Sequence, residues 1–314
     1  MKVFSVDVGG SHIACGAVEE YRLLASVSIP ANAHGPLENL LPRLAEAFDV
    51  FRSKDGGGYA GVAFGFCGLV DTRLGRVTST NHKYPDATTI DLGAWARESL
   101  GLPLILENDS RLALLGERHA GAAAGSDNVV MMTLGTGIGS AVIIEGKLLH
   151  GKHGQAGCMG GHFIVDIEGH TCSCGGHGCF EAEASTYALA SLCRSWPGIE
   201  SSVLATSASE ETIDFATLFH FADFGDAVAQ QIRDRCIKVW CACALSLVHA
   251  YDPELLIVGG GVMRSSYPIL KLIQQHLDRY AWTPWGKVEV RPAALGSDAA
   301  LLGGLPLFHE YQVR

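Results

Sequence analysis

Val3-Phe4-Ser5-Val6-Asp7-Val8-Gly9-Gly10-Ser11-His12-Ile13-Ala14-Cys15-Gly16-Ala17-Val18 is two short apolar runs around a Gly-Gly-Ser turn, with an acidic residue near the end of the first run. That pattern predicts a β-hairpin. The same design returns at Val129-Val130-Met131-Met132-Thr133-Leu134, Gly135-Thr136-Gly137-Ile138-Gly139 and Ser140 to Ile144. Two hairpins of matching design point to a chain made of two related lobes. Between them, apolar spacing predicts a helix over 37–51, a strand over 61–66 and a strand over 103–106. Glu107-Asn108-Asp109-Ser110 then opens a helix over 111–124 that Gly125 closes. Past a cysteine-rich insertion (151–181) the chain reads mostly as helix, the longest over 226–251 and stopped at Asp252-Pro253. A strand over 255–258 runs into Gly259-Gly260-Gly261, and a strand over 288–290 and a last helix over 297–311 complete the pattern, while 195–211 is polar and without periodicity. Alternating strands and helices predict α/β architecture. The expected division is an N-terminal α/β lobe over 1–115, with the C-terminal helix (297–314) packing back on it, and a larger α/β lobe over 116–296 that carries the cysteine loop.

Composition narrows the function. A chain of 314 residues is long enough for two lobes. Its 23 Lys+Arg against 33 Asp+Glu leave a net charge of −10, which argues against a surface that tracks nucleic acid or anionic lipid. A small phosphorylated ligand is not excluded, because backbone N–H groups bind phosphate without lysine. With 48% hydrophobic and 18% charged residues the chain has ample core, which rules out disorder. The longest charge-free run, 128–144, is broken by glycines and is shorter than the ~20 apolar residues of a membrane span. The first residues read as a strand and lack the apolar region of a signal peptide. The expectation is a cytoplasmic protein with reduced thiols.

Three constellations carry chemistry. His162, Cys172, Cys174 and Cys179 give H-x9-C-x-C-x4-C; three thiolates and an imidazole make a closed tetrahedral shell for a structural Zn²⁺. Spacing alone leaves His170 and His177 as rival imidazoles, and free surface thiols as the plain alternative. The glycine turns, Asp7-x-Gly9-Gly10-Ser11 and Gly135-Thr136-Gly137, put backbone N–H groups and small hydroxyls where phosphate oxygens could rest, with Asp7 available for a hydrated Mg²⁺. Each could equally be an ordinary hairpin. Neither is a dinucleotide fingerprint, since a strand follows where a helix is needed, and there is no P-loop. Gly259-Gly260 is either a close turn or a wall for a nucleotide base and ribose. Asp109, at a strand-to-helix junction, is the candidate general base or else a helix cap; two caps, Asn108 and Asp109, would be redundant.

These residues, with Gly65-Phe66-Cys67-Gly68-Leu69-Val70-Asp71, Cys172-Ser173-Cys174-Gly175-Gly176-His177-Gly178-Cys179-Phe180-Glu181, Asp252-Pro253-Glu254 and Asp298 to Gly303, occur in an order that resembles the ROK family of sugar kinases and related repressors. The resemblance runs from Asp7 to Gly304. It implies a two-lobed actin-like ATPase / sugar kinase fold with a zinc-bound loop, in which the ATP γ-phosphate passes to a hexose hydroxyl, most often the 6-OH, in a cleft between lobes. Residue by residue it implies Asp109 as catalytic base; Asn81, Asn108, His162 and Glu181 on sugar hydroxyls; Asp7, Gly9, Gly10, Ser11, Gly135, Thr136 and Gly137 on phosphates, with Gly259 and Gly260 on the adenosine side. It also selects His162 as the imidazole on zinc. ATP, Mg²⁺ and structural Zn²⁺ are the implied cofactors, and a homodimer the implied assembly.

Two departures stand out. Ser11-His12 replaces the family's Thr-Lys, which keeps a hydroxyl and loses a lysine. The family's Ala-Gly-Glu-x-Gly-His reads Ala156-Gly157-Cys158-Met159-Gly160-Gly161-His162 here, one residue longer and without the carboxylate. A lost charge-assisted hydrogen bond to sugar is worth about 1.5–3 kcal/mol, so the sugar itself is left open. The rival expectations are a catalytically weak sugar-binding protein and a sugar-sensing regulator. The regulator is opposed by the acidic charge and by Asp7 falling where a DNA-binding segment would still precede it.

Overall fold

The structure is a computed structural model that describes the whole chain except Ser11, Tyr21, Asn81, Glu210, Glu211, Ser266, Val313 and Arg314. It forms two compact units. The first comprises Met1–Ser126, Leu148–Cys158 and Ala293–Arg314; the second comprises Asp127–Lys147 and Met159–Pro292.

In the first unit the chain forms β1 (Lys2–Val8), β2 (His12–Glu19), β3 (Arg22–Pro30), α1 (Leu41–Asp55), β4 (Tyr59–Phe66), β5 (Leu69–Asp71), β6 (Arg76–Ser79), α2 (Leu92–Trp95), β7 (Leu104–Asn108) and α3 (Asp109–Ala120). Five of these strands make one sheet in the order β3-β2-β1-β4-β7. The expected hairpin is β1 and β2, antiparallel, while β1, β4 and β7 run parallel. Register sets Asp7 beside Gly65 and Gly65 beside Glu107, so the acidic residues of two strands gather at one end of the sheet. Helix α1 buries Leu41, Leu44, Phe48 and Phe51, one apolar stripe at helical spacing, and Phe48 packs its ring 5.2 Å from that of Phe4. The four residues before it, expected as helix, form a 3-10 turn, with Pro42 in the first turn of α1.

The second unit repeats the design. It contains β8 (Val129–Leu134), β9 (Ile138–Ile144), β10 (Lys147–Leu148), α4 (Phe180–Ala184), α5 (Thr186–Arg194), α6 (Leu204–Ser209), α7 (Phe215–Asp223), α8 (Ala227–Tyr251), β11 (Leu255–Gly259), α9 (Ile269–Tyr280) and β12 (Glu289–Pro292). Its sheet order is β10-β9-β8-β11-β12, again an antiparallel hairpin, β8 and β9, extended by two parallel strands. Helix α8 has the length its periodicity predicts. Its Trp240 is fully buried, donates to the Ala184 carbonyl at 2.9 Å and packs edge-on against Phe215. Asp226 caps α8 through Ala229 N at 2.9 Å, while its other oxygen accepts from Ser202 Oγ and Val203 N. Those bonds hold Ser202 and Val203 just before α6, within a polar stretch that has no apolar pattern to announce its short helix.

The C-terminal segment, α10 (Ala299–Leu302) and α11 (Gly304–Gln312), belongs to the first unit, as does all of α3. A single boundary at 115 would have cut α3 in two. The expected last helix is broken at Gly303, where a Cβ would lie 1.9 Å from the Leu112 carbonyl oxygen, so α3 and the C-terminal segment approach at backbone distance. Buried Glu117 explains both the early end of α3 and the return of the C-terminus: its carboxylate accepts from Ala122 N at 2.8 Å, drawing the chain out of the helix, and from Ala294 N and Leu295 N at 2.9 and 2.8 Å. Among the described residues, no helix is long and apolar enough to cross a membrane. Glu117→Ala strands three amides at once and is expected to destabilise the protein by more than about 3 kcal/mol in denaturant titration, with Glu117→Gln less costly.

Candidate active site and metal centre

At the carboxyl end of β7, Asn108 and Asp109 divide two tasks. Asn108 is the cap of α3: its Oδ1 accepts from Ser110 N at 3.1 Å and Arg111 N at 3.3 Å, and its Nδ2 donates to Gly68 O and to Asp109 Oδ1. Asp109 begins the helix. Its Oδ1 accepts from Ser110 N at 2.7 Å and Asn108 Nδ2 at 3.0 Å, and no bond is seen to Oδ2 among the described residues. Burial pushes its carboxyl above the ordinary range, against the hydrogen bonds from Ser110 and Asn108 and the charge of Lys83. On β1, burial and then the Asp109 charge push Asp7 up to about 7. In the adjoining turn Gly9 N donates to His12 O at 3.1 Å, Tyr84 Oη donates to Gly9 O, and Gly10 faces open space. Ser11 and Asn81 lie outside the described residues.

In the second unit, the β8–β9 turn and the end of β11 come together. Gly260, at φ +96°, sits so close to β8 that a Cβ would meet the Leu134 carbonyl oxygen at 2.2 Å. Gly135 O and Thr136 O accept from Thr186 N and Tyr187 N at the head of α5. Glu181 holds the same turn: its Oε2 accepts from Ile138 N at 3.0 Å and would collide with any Cβ on Gly137. The residues expected to hold nucleotide in this unit, Gly135, Thr136, Gly137, Gly259 and Gly260, are thus one continuous backbone surface. Glu181 supports that surface directly, a role its place in the cysteine string did not announce.

The cysteine loop gathers His162, Cys172, Cys174 and Cys179, with their ligand atoms all within 4.8 Å of one another. Cys174 and Cys179 Sγ are 3.7 Å apart, and Cys172 Sγ is 3.4 Å from His162 Nδ1. A tetrahedral site with Zn–S about 2.3 Å and Zn–N about 2.0 Å needs separations of roughly 3.8 and 3.5 Å, so the quartet fits that ion. The rival imidazoles are held elsewhere: His170 Nδ1 lies 3.1 Å from buried Glu183, and His177 Nδ1 lies 3.4 Å from Thr171 Oγ1. Arg235 closes on Glu183 at 3.3 Å, so a charged layer braces the loop from behind.

One group of residues escaped the sequence reading. Fully buried Glu107 and Arg111 pair at 3.3 Å, and Glu107 Oε2 meets His150 Nε2 at 2.6 Å and Thr72 Oγ1 at 3.2 Å. Burial pushes Glu107 upward, but His150 and Arg111 outweigh it and hold the carboxyl below its usual range. Glu107 lies at the end of strand β7 and Arg111 in the first turn of α3, so no helical spacing links the two in the sequence, and nothing local shows that both are buried.

Solved structures share this architecture. A ROK hexokinase from Thermus thermophilus superposes with a TM-score of 0.82 at 31% identity, over 100% of both chains. A ROK family glucokinase from Streptomyces griseus, in complex with glucose and AMPPNP, gives 0.79 at 30% identity over 98% of this chain and 99% of that one. The fold is therefore the one built by sugar kinases of the actin-like ATPase class. Among curated relatives, the glucokinase of Thermotoga maritima is 32% identical over 99% of this chain and 98% of its own. The ROK family model matches residues 3–311, and the chain belongs to the ROK family.

Protein purified without added metal is expected to carry about one zinc per chain by elemental analysis, and Cys172→Ser or Cys179→Ser to carry none. Metal removal should raise amide exchange in the loop that holds the quartet while leaving α8 protected.

Proposed function

We propose that this protein is an ATP-dependent hexose kinase that phosphorylates a sugar hydroxyl, the 6-OH, with Asp109 as general base. The observation that carries this reading is the division between Asn108, which caps α3, and Asp109, which is left with an oxygen for chemistry in a water-poor setting. Phosphoryl transfer needs positioning, charge neutralisation and one group to orient the nucleophile. Asp109 accepts the hydroxyl proton as the sugar oxygen forms its bond to the γ-phosphorus; the bond to the β–γ bridging oxygen breaks, and ADP leaves with that electron pair.

Asn108 and Asn81 are the proposed sugar-hydroxyl partners in the first unit, and His162 and Glu181 in the second. With His162 Nδ1 turned toward the sulfurs, Nε2 is the ring nitrogen left for a hydroxyl. Zn²⁺ on the quartet would fix that imidazole and the loop around it. The Gly9-Gly10-Ser11 and Gly135-Thr136-Gly137 turns line the phosphates; because Gly9 N donates to His12 O and Gly135 N to Gly137 O, these two glycines give room for phosphate oxygens and not donors. Gly259 and Gly260 flank adenosine. Mg²⁺, held through water by Asp7, would neutralise charge on the transferring phosphate. Cytoplasmic, homodimeric function accords with this reading. The missing carboxylate in 156–162 directs the search beyond plain glucose, to N-acetylated hexoses, ketoses and other substituted sugars.

ATP-coupled turnover over glucose, mannose, fructose, allose, N-acetylglucosamine and N-acetylmannosamine is expected to find a substrate, and Asp109→Asn to lower kcat on it by roughly 10²–10⁴-fold or more. Nucleotide and zinc binding without turnover on any sugar would favour a sugar-binding protein instead. Because the base must be ionised and burial raises its pKa, kcat/KM should fall on acidification through a midpoint above the ordinary carboxylate range. A midpoint near 4 in the pH profile would contradict that assignment.

A further inference from the structure

The segment Leu148–Cys158 belongs to the first unit although the chain on both sides of it belongs to the second. It contributes almost nothing to a hydrophobic core: it contains Gly151, Gly154 and Gly157, all at positive φ, and only Leu148 among its residues is a buried hydrophobe. Its anchors are polar. Arg111 Nη2 donates to Gly154 O at 2.8 Å and to Ala156 O at 2.7 Å, and His150 meets Glu107 at 2.6 Å. Ala156 N closes the strap on itself by donating to His150 O at 3.1 Å. Gly154 is pressed so tightly on β5 that a Cβ would meet Val70 O at 2.3 Å.

Stability alone does not explain this arrangement. A buried ion pair is seldom better than apolar residues of the same size, and Arg111 Nε has no hydrogen-bond partner among the described residues, a further penalty the fold accepts. What the guanidinium supplies that an apolar side chain cannot is a fork with one arm, Nη1, on Glu107 and the other, Nη2, on two carbonyls of a loop with no core of its own. Arg111 also stands two residues beyond Asp109 in the first turn of α3. The same turn therefore carries the base and grips the strap. At the end of the strap, Cys158 lies within reach of the Asp109, Glu107 and Arg111 charges.

We propose that Arg111 is a positioning residue that, with Glu107 and His150 as its partners, holds the Leu148–Cys158 strap in register with Asp109 and so sets sugar affinity. The catalytic half of this proposal rests on the kinase reading above; the structural half does not. Arg111 touches no reacting atom and acts through the strap.

The test pairs Arg111→Lys, which keeps the charge beside Glu107 but loses the fork, with the charge-neutral double variant Glu107→Gln/Arg111→Met. In each, KM for the sugar is expected to rise at least about fivefold while kcat and KM for ATP stay within about twofold. Amide exchange over 148–158 should quicken at least about tenfold with α3 still protected. Unchanged sugar KM in either folded variant would overturn the proposal. So would equal loss of protection in α3 and the strap, since Arg111 would then be only a core residue. Were the native chain to turn over no sugar, the kinase reading would fail, and the exchange measurement would still decide whether Arg111 holds the strap.

Discussion

A carboxylate that is to take a proton has to be withheld from the helix it begins. The first N–H groups of any helix lack partners and draw in whatever acceptor is near. At the end of β7 that demand is met by Asn108, whose side chain reaches the amides of Ser110 and Arg111. Asp109 still accepts Ser110 N through one oxygen, which fixes its rotamer and leaves the other without a partner among the described residues. The rest of the first unit follows from placing that pair. Parallel pairing of β1, β4 and β7 brings Asp7 to the same end of the sheet, where burial and then the Asp109 charge raise its affinity for a proton. A cation drawn to Asp7 would relieve the pair, which makes charge neutralisation part of the site's own electrostatics.

Three segments of this chain are ordered without much core. The His162–Cys172–Cys174–Cys179 quartet is placed so that Zn²⁺ would order the cysteine loop, and the carboxylate of Glu117 ties the C-terminal segment to α3. The Glu107–Arg111–His150 group orders the strap. In the last two cases a buried charged group collects backbone partners: three amides for Glu117 and two carbonyls for Arg111. Such contacts are directional and depend on full satisfaction. They fix a loop more sharply than apolar packing does, and they leave its outer surface for ligand.

What was legible in the sequence was local. Both hairpins announce themselves by alternating apolar residues around glycine, α8 by its period and its Asp-Pro stop, and the quartet by spacing inside eighteen residues. The choice of His162 came from resemblance, and geometry supplies a physical reason for it: Glu183, invisible as a partner from sequence, engages His170. What was not legible joins distant positions. His150 meets Glu107 across 43 residues, and Glu117 meets Leu295 across 178. Neither the end of α3 at Ala120 nor the break at Gly303 follows from local propensity. The first is set by a carboxylate drawing an amide out of the helix, the second by two backbones in contact.

Glu181 shows how one residue can serve both readings of a motif. As part of the cysteine string it was assigned to sugar; in the structure one of its oxygens holds the Gly137–Ile138 turn. That turn belongs to the surface proposed for phosphate. A sugar hydroxyl taken by the other oxygen would therefore pull on the same carboxylate that shapes the phosphate turn. The lost carboxylate in 156–162 has the opposite consequence. With Cys158 there, whose thiol meets the Gly154 and Gln155 carbonyls, the strap as the proposed sugar contact would offer chiefly backbone groups. On the proposed reading, sugar binding then depends on where the strap's backbone is held, which is the task given to Arg111.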